Sequence, residues 1–499
     1  MTLLQPELLA RLAGTHPTGV AWRNVADGNE LTLEEWHLRS NRLARGLRKV
    51  KVTKGDRVVL VIGADEPLEW LVSYMGIHKS GAVAVPLNAR IGPDELDRVL
   101  RHTEASVLIC SAGRACGTAP SPAPLVVSTA AGASPGWYDL LDADDSDLTP
   151  ALDPDDVADI MYTSGTTGEP KGVIVTHGGL STIDRVPSAW LGLGFLTASP
   201  FATTSGSLLV CGPMRGGLSG CFLPRFSPVA WLQTVERARP VAAFLVPAML
   251  ELIVATPEFA TTDLSSLAVV NIGSAPVASA TLRRFGARLP DADVLCGYGM
   301  TEFGAATAMP MGDRGRHLGS VGLPLPGVSV RILGGDGTPV GPGEVGQIAV
   351  GGTRHPRSYY RDPDASEATW DHGWLLSGDL GRVDADGHLW VVGRQKEVII
   401  RGGHNIVPGE VETALFEHPS VTEAAVVGVP HPVLGEDVAA WVVLREPVST
   451  EDLRTFLLER LSDFKVPRRI SVVGALPRNE SGKVLKSHLV SGDEPRSSP

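Results

Sequence analysis

The sequence predicts an α/β protein: a large N-terminal α/β domain containing a β-rich subdomain, followed by a small α+β C-terminal domain. Three observations lead there. The run 57–62 (RVVLVI) reads as a buried strand, 66–79 as a helix and 83–86 as a second strand. That strand–helix–strand order builds a parallel sheet. The segment 319–350 is dense in Gly and Val, as in a small β-rich subdomain. After Arg394 the pattern changes to a compact unit of about one hundred residues, an ordinary domain size. The expected division is 1–394 and 395–499.

The first clear helix opens at Thr32, with Glu35 three residues on as a capping box. Trp36, Leu43 and Leu47 then share one face. Residues 112–150 are rich in Ala, Pro, Gly, Ser and Asp and read as loops. Strand-like runs return at 157–162, 241–246, 267–272 and 293–296. In the C-terminal unit, 397–401 reads as a strand and 408–417 as a helix opened by proline. Strands follow at 421–429 and 438–444. Ser449, with Asp452 three residues on, caps a helix running to about Leu461, and 470–473 is a last strand. The tail beyond about Lys486 is polar and is expected to be disordered.

The bulk numbers exclude some functions. With 499 residues the chain is too long for one core. A composition of 43% hydrophobic and 20% charged residues suits a soluble globular protein. The net charge of -12 disfavours nucleic-acid binding, which needs a basic face. No apolar run is long enough for a membrane span, and the N-terminus lacks the parts of a signal peptide. The five cysteines, Cys110, Cys116, Cys211, Cys221 and Cys296, show no CxxC pair or zinc spacing. They read as small buried hydrophobes in a reduced, cytoplasmic protein.

The sharpest chemical signal is 163–172, TSGTTGEPKG, set between two strand-like runs. Small hydroxylated residues and glycines (Thr163, Ser164, Gly165, Thr166, Thr167) expose backbone N–H groups to an anion, and Lys171 adds positive charge. This is a phosphate grip. It is not Walker A, because Lys171 is not followed by Ser or Thr.

Other motifs follow in order: GYGMTE at 297–302, SGDL at 377–380, GRQKE at 393–397, GGHNIVPGEVE at 402–412 and PRNESGK at 477–483. With TSGTTGEPKG they resemble the adenylate-forming superfamily: acyl- and aryl-CoA synthetases, nonribosomal peptide adenylation domains and firefly-type luciferases. The resemblance covers nearly the whole chain and is closest in look to acyl-CoA ligases. It implies ATP-dependent conversion of a small carboxylic acid to its acyl-AMP, release of pyrophosphate, and transfer of the acyl group to coenzyme A, with Mg2+ as cofactor. It implies that Ser274, Ala275, Pro276, Gly297, Tyr298, Gly299 and Met300 flank the nucleotide, with Tyr298 stacked on adenine. Thr301 would donate to the α-phosphate and Glu302 would ligate magnesium, a hard carboxylate for a hard cation. Asp379 and Arg394 would hold the ribose. Lys483 would be the catalytic lysine that brings carboxylate and phosphate together. Lys396 would be the hinge about which a mobile small domain turns, and Gly402 and Gly403 would line a thiol tunnel.

The acyl pocket is expected among Thr203, Ser207, Phe244, Val246, Asn271, Gly273 and Met300. Their small or apolar character suits a bulky aliphatic, alicyclic or aromatic acid. The sequence departs from the family at Thr203, near where a His is often found. It also lacks the Phe-Asp pair with which amino-acid-activating domains hold an ammonium group. Alternative acceptors are none at all, with adenylation only, or a separate carrier protein. A rival of another class is an inactive nucleotide-binding protein; Lys171, Thr301, Glu302, Asp379, Arg394 and Lys483 are all present and weigh against it. Either a monomer or a homodimer fits.

Overall fold

The computed structural model describes residues 3–111, 124–130, 132–133, 135–148, 151–163, 171–181, 187, 189–313, 315–353, 357–478 and 484–490. Contacts group the chain into two compact units. The first comprises Met1–Phe244, Met300–Gly304 and Arg354–Ala368. The second comprises Leu245–Gly299, Ala305–Thr353 and Thr369–Pro499.

The first unit is built on parallel strands. Arg57–Val61 lies between Val83–Pro86 and Val107–Cys110, parallel to both, and Leu125–Ser128 extends the row. On the other side, Val83–Pro86 is followed by Val157–Thr163 and the antiparallel Lys171–Thr176. A second row orders Gly194–Thr197, Ser219–Phe222, Val20–Asn24 and Glu30–Thr32. The helices Leu33–Lys49 and Pro67–Ser80 pack together through Leu43, Leu71 and Met75, all fully buried. The capping box is present: Glu35 N–H donates to Thr32 Oγ1 at 3.1 Å and Thr32 N–H to Glu35 Oε2 at 3.0 Å. Residues 112–150 are not all loop. They hold the strand Leu125–Ser128 and the helix Trp137–Leu140, whose Trp137 is fully buried and donates to Ser73. A four-residue edge strand is too short to show a period of two.

The second unit contains the β-rich part expected over 319–350, where Val328–Leu333 and Gly346–Gly352 pair antiparallel. The long strand Trp374–Val383 pairs with Gly346–Gly352 on one side and Leu389–Arg394 on the other. Beyond Arg394, Val421–His431 and Gly435–Leu444 form an antiparallel ladder, and Arg469–Val472 adds parallel to it. The helices Pro408–Phe416 and Thr450–Leu458 cover one face through Val411, Leu415, Leu453 and Leu457. Residues 486–490 are helical rather than tail. Among the described residues no helix is long and apolar enough to cross a membrane. Cys110, Cys211, Cys221 and Cys296 are buried; Cys116 lies outside the described residues.

One acid in this unit should make stability depend on pH. Burial raises the Glu251 carboxyl from the usual 4.5 to about 7, against a hydrogen bond from Thr281 Oγ1 at 2.6 Å. Glu423 pushes it further up, while Arg284 and Arg478 pull it down. The folded state therefore binds the extra proton between about pH 4.5 and 7, and stability from this group is lost as pH rises through about 7. Glu251→Gln should be more stable than wild type at pH 8, by on the order of 1–3 kcal/mol, with the advantage shrinking toward pH 5. Thermal unfolding at the two pH values checks this; a pH-independent difference contradicts it.

Candidate active site

The ends of the glycine-rich segment are brought side by side. Thr163 sits opposite Lys171 in the antiparallel pair that closes the parallel row. Ser164, Gly165, Thr166 and Thr167 lie outside the described residues. The strand that starts at Lys171 gains a further neighbour, because Ile174 N–H donates to Ser358 O at 2.8 Å and Tyr360 N–H to Gly172 O at 2.7 Å. Tyr359 bridges to Val173 in this arrangement.

That pairing delivers Tyr359 to two of the expected residues. Lys171 Nζ lies 5.1 Å from the Tyr359 ring centroid, within cation–π range. Tyr359 Oη donates to Glu302 Oε1 at 3.0 Å. Lys171 Nζ also lies 3.6 Å from Asp362 Oδ2. A cation and a carboxylate are thus held by one phenol where the glycine-rich segment ends.

Thr301 and Glu302 occupy the turn after the strand Asp293–Met300. The Thr301 and Thr204 hydroxyls are 2.8 Å apart, and Arg357 Nη1 donates to Thr301 O at 2.7 Å. Gly304 closes the turn with φ +91°, and a Cβ there would stand 3.1 Å from Arg357 Nη2. The positive φ favours glycine, and any Cβ would also press on that guanidinium. Arg357 and Tyr359 were not singled out from sequence. Their signal is faint: two polar residues at i, i+2 on an extended segment, which places them on one face.

In the second unit, Asp379 stands opposite Arg394 across two antiparallel strands. Arg394 Nε lies 3.0 Å from Asp379 Oδ1, and Tyr298 Oη donates to Asp379 Oδ2 at 2.7 Å. Asp379 is buried, and its own N–H donates to Ser377 Oγ at 3.1 Å. Burial first, and the Asp379 charge next, push the Tyr298 phenol well above its ordinary range. A carboxylate accepts at about four positions, so Asp379 can still receive diol hydroxyls beside these two donors. The sequence placed Tyr298, Asp379 and Arg394 around one nucleotide, and the structure gathers all three.

The expected acyl-pocket residues are spread over several elements. Thr203 is the N-cap of the helix Thr204–Gly216; its hydroxyl accepts from Gly206 N–H and donates to Pro200 O. Ser207 is buried one turn further on. Phe244 and Val246 are buried at the end of the strand Ala242–Leu245. Asn271 is half-buried near the end of the strand Val269–Ile272, and Gly273 N–H donates to Leu245 O at 3.3 Å. Ser274, Ala275 and Pro276 follow as an exposed loop in which Ser274 has φ +76°. A left-handed serine is strained, a condition that clusters at ligand sites. Gly297 and Met300 are half-buried and Gly299 is exposed.

The AMP-binding enzyme family model matches residues 9–360, and the AMP-binding enzyme C-terminal domain matches residues 410–483. The chain belongs to the AMP-binding enzyme family. Feruloyl-CoA synthase of Amycolatopsis sp. is 38% identical over 494 residues, covering 96% of this chain and 97% of that enzyme. Long-chain-fatty-acid–CoA ligase FadD13 of Mycobacterium tuberculosis is 30% identical over 504 residues, covering 97% of each. Among solved structures, ATP-bound MatB from Rhodopseudomonas palustris superposes with a TM-score of 0.84 at 29% identity, covering 98% of this chain and 99% of that one. This AMP-binding enzyme is an AMP-forming acid–thiol ligase. It uses ATP to form an acyl-AMP from a carboxylic acid and transfers the acyl group to coenzyme A.

The C-terminal part of the AMP-binding enzyme carries the remaining expected residues. Lys396 is exposed in a 3₁₀ turn, Gln395–Glu397, between two strands. Gly402 and Gly403 have φ +56° and +86° in a two-residue turn between Ile399–Arg401 and His404–Ile406. Two successive positive φ values favour such a glycine pair. Lys483 lies outside the described residues. Its flanks are firmly held: Arg478 bridges to Val484, Leu485 N–H donates to Pro477 O at 2.8 Å, and Lys486 Nζ meets Glu397 at 2.9 Å and Glu412 at 2.8 Å.

Proposed function

We propose that this ligase activates an aromatic acid of the ferulate type, with the phosphate-handling work carried by Lys171, Thr301, Glu302 and Lys483. The observation that carries the catalytic part is the contact chain Lys171–Tyr359–Glu302. It holds a cation and an acid in fixed relation where the phosphate loop ends. Glu302 fits a magnesium ion, since such sites combine one or two carboxylates with substrate phosphates. Bound there, Mg2+ would neutralise charge on the phosphates. Asp379 accepts the ribose hydroxyls, and Arg394 and Tyr298 keep its carboxylate oriented. Thr301, turned by Thr204 and Arg357, donates its hydroxyl to the α-phosphate. Lys483 draws the two anions, carboxylate and α-phosphate, together. Most of the rate then comes from positioning and charge rather than covalent chemistry. Residues 1–394 bind ATP and the acid; residues 395–499 turn about Lys396 between the half-reactions.

The acid class is supported by full-length likeness to feruloyl-CoA synthase and by small or apolar side chains at Ser207, Phe244 and Val246. ATP–pyrophosphate exchange across a panel tests it. Ferulate and other phenylpropenoic acids should give the fastest exchange, ahead of long-chain fatty acids and short dicarboxylic acids. Fastest exchange with a fatty acid would overturn the acid class.

Tyr359→Phe removes the hydroxyl that orients Glu302 while keeping the ring beneath Lys171. Loss of one hydrogen bond to a charged group, about 1.5–3 kcal/mol, should raise the Mg2+ concentration for half-maximal exchange by about tenfold or more. The KM for the acid should stay unchanged. An unaltered Mg2+ requirement would contradict this role.

A further inference from the structure

We propose that Asp313, His317 and His388 form a binding site for a zinc-class divalent metal, distinct from the nucleotide site. The three side chains come from two turns of the second unit. Asp313 and His317 lie in the turn before Ser320, and His388 follows the turn between the strands Trp374–Val383 and Leu389–Arg394. One ligand atom from each lies within 4.8 Å of the others.

His388 supplies the independent sign. It is only 5% exposed, yet among the described residues neither ring nitrogen has a hydrogen-bond partner. Its Nδ1 stands 3.7 Å from Asp384 Oδ1, too far for a hydrogen bond. Asp384 is already engaged, by the N–H groups of Asp386 and His388 and by Trp390 Nε1. A buried imidazole with both nitrogens unsatisfied is costly, and such groups call for an explanation. A metal ion satisfies one nitrogen directly.

The surroundings suit that ion. His317 Nδ1 lies 2.7 Å from Asp313 Oδ2, and a second bond runs from His317 N–H to Asp313 Oδ1 at 3.2 Å. The Oδ2 contact fixes the tautomer of His317 and leaves its Nε2 for the ion, while Asp313 Oδ1, which accepts only the one N–H, keeps a lone pair with which to ligate it. His317 Nε2 in turn faces Asp386 Oδ2 at 3.8 Å, an exposed carboxylate able to fill a fourth position. Two imidazoles and carboxylate oxygens are a zinc donor set; magnesium and calcium prefer oxygen alone. The rings of His317 and His388 now stack at 3.7 Å and 16°. Binding requires them to splay, because zinc ligand atoms stand about 3.3 Å apart in a tetrahedron. His317, partly exposed, has the freedom to do so. The metal would pin one turn to the hairpin whose strands carry Asp379 and Arg394.

Untagged full-length enzyme, stripped with chelator and dialysed against Zn2+, tests this by elemental analysis and calorimetric titration. One equivalent should be retained, and unfolding temperature should rise by about 2 °C or more. His317→Ala and His388→Ala should each weaken binding by about tenfold or more, since losing even an outer-shell partner costs about 10–100-fold. Because His388 is buried and its variant could unfold, His317→Ala carries the test alone if needed. Absence of retained zinc in wild type, or equal retention in His317→Ala, would overturn the site.

Discussion

Lys483→Ala is expected to lower acyl-AMP formation by about 10²–10³-fold, the scale seen when one charge-stabilising donor is removed. Carboxylate and ATP are both anions, and negative charge builds on the α-phosphate as they join. Alanine leaves that charge without its cation. The fold should survive, because the flanks of this residue are tied by the Arg478–Val484 bridge and by the Lys486 pairs with Glu397 and Glu412. Pyrophosphate exchange reads the first half-reaction. Supplying preformed acyl-AMP with coenzyme A reads the second, which should persist. Near-normal exchange by the variant would remove Lys483 from the chemistry.

Lys396→Pro should separate the half-reactions in the opposite sense. Proline fixes φ near −65° and restricts the residue before it. In the turn Gln395–Glu397 it would freeze the link between the strands Leu389–Arg394 and Ile399–Arg401. Adenylation should stay near wild type, and thioester formation should fall to a small fraction. Single-turnover rates of acyl-AMP formation and of its consumption by coenzyme A measure the two separately. Equal loss of both would argue that residue 396 supports the fold and does not act as a hinge.

Local signals carried most of the architecture. The apolar run at 57–62 became the strand Arg57–Val61, and the proline-opened helix at 408 became Pro408–Phe416. Caps at Thr32 and Ser449 were legible because a short polar side chain with an acid three residues on has a fixed geometry. What failed was short or depended on distant partners. Leu125–Ser128 is a strand because Val107–Cys110 offers it an edge, and nothing in four residues announces that. Tyr359 was missed for the same reason. Its value comes from the pairing of Ser358–Tyr360 with the strand after Lys171, which no local pattern encodes. Thr203, expected in the acyl pocket through the resemblance, also has a local role that its hydroxyl type allows: it caps the helix Thr204–Gly216. The motif residues Tyr298, Asp379 and Arg394 were legible as a set because each sits in an ordered family motif, and the structure joins them by two direct contacts.

The most direct measurement is a single reaction of purified enzyme with ferulate, ATP, Mg2+ and coenzyme A, followed by mass detection of products. Feruloyl-CoA and AMP should form in equal amounts, with pyrophosphate as the other product. ADP and phosphate in place of AMP and pyrophosphate, or AMP without any thioester, would contradict the proposed reaction.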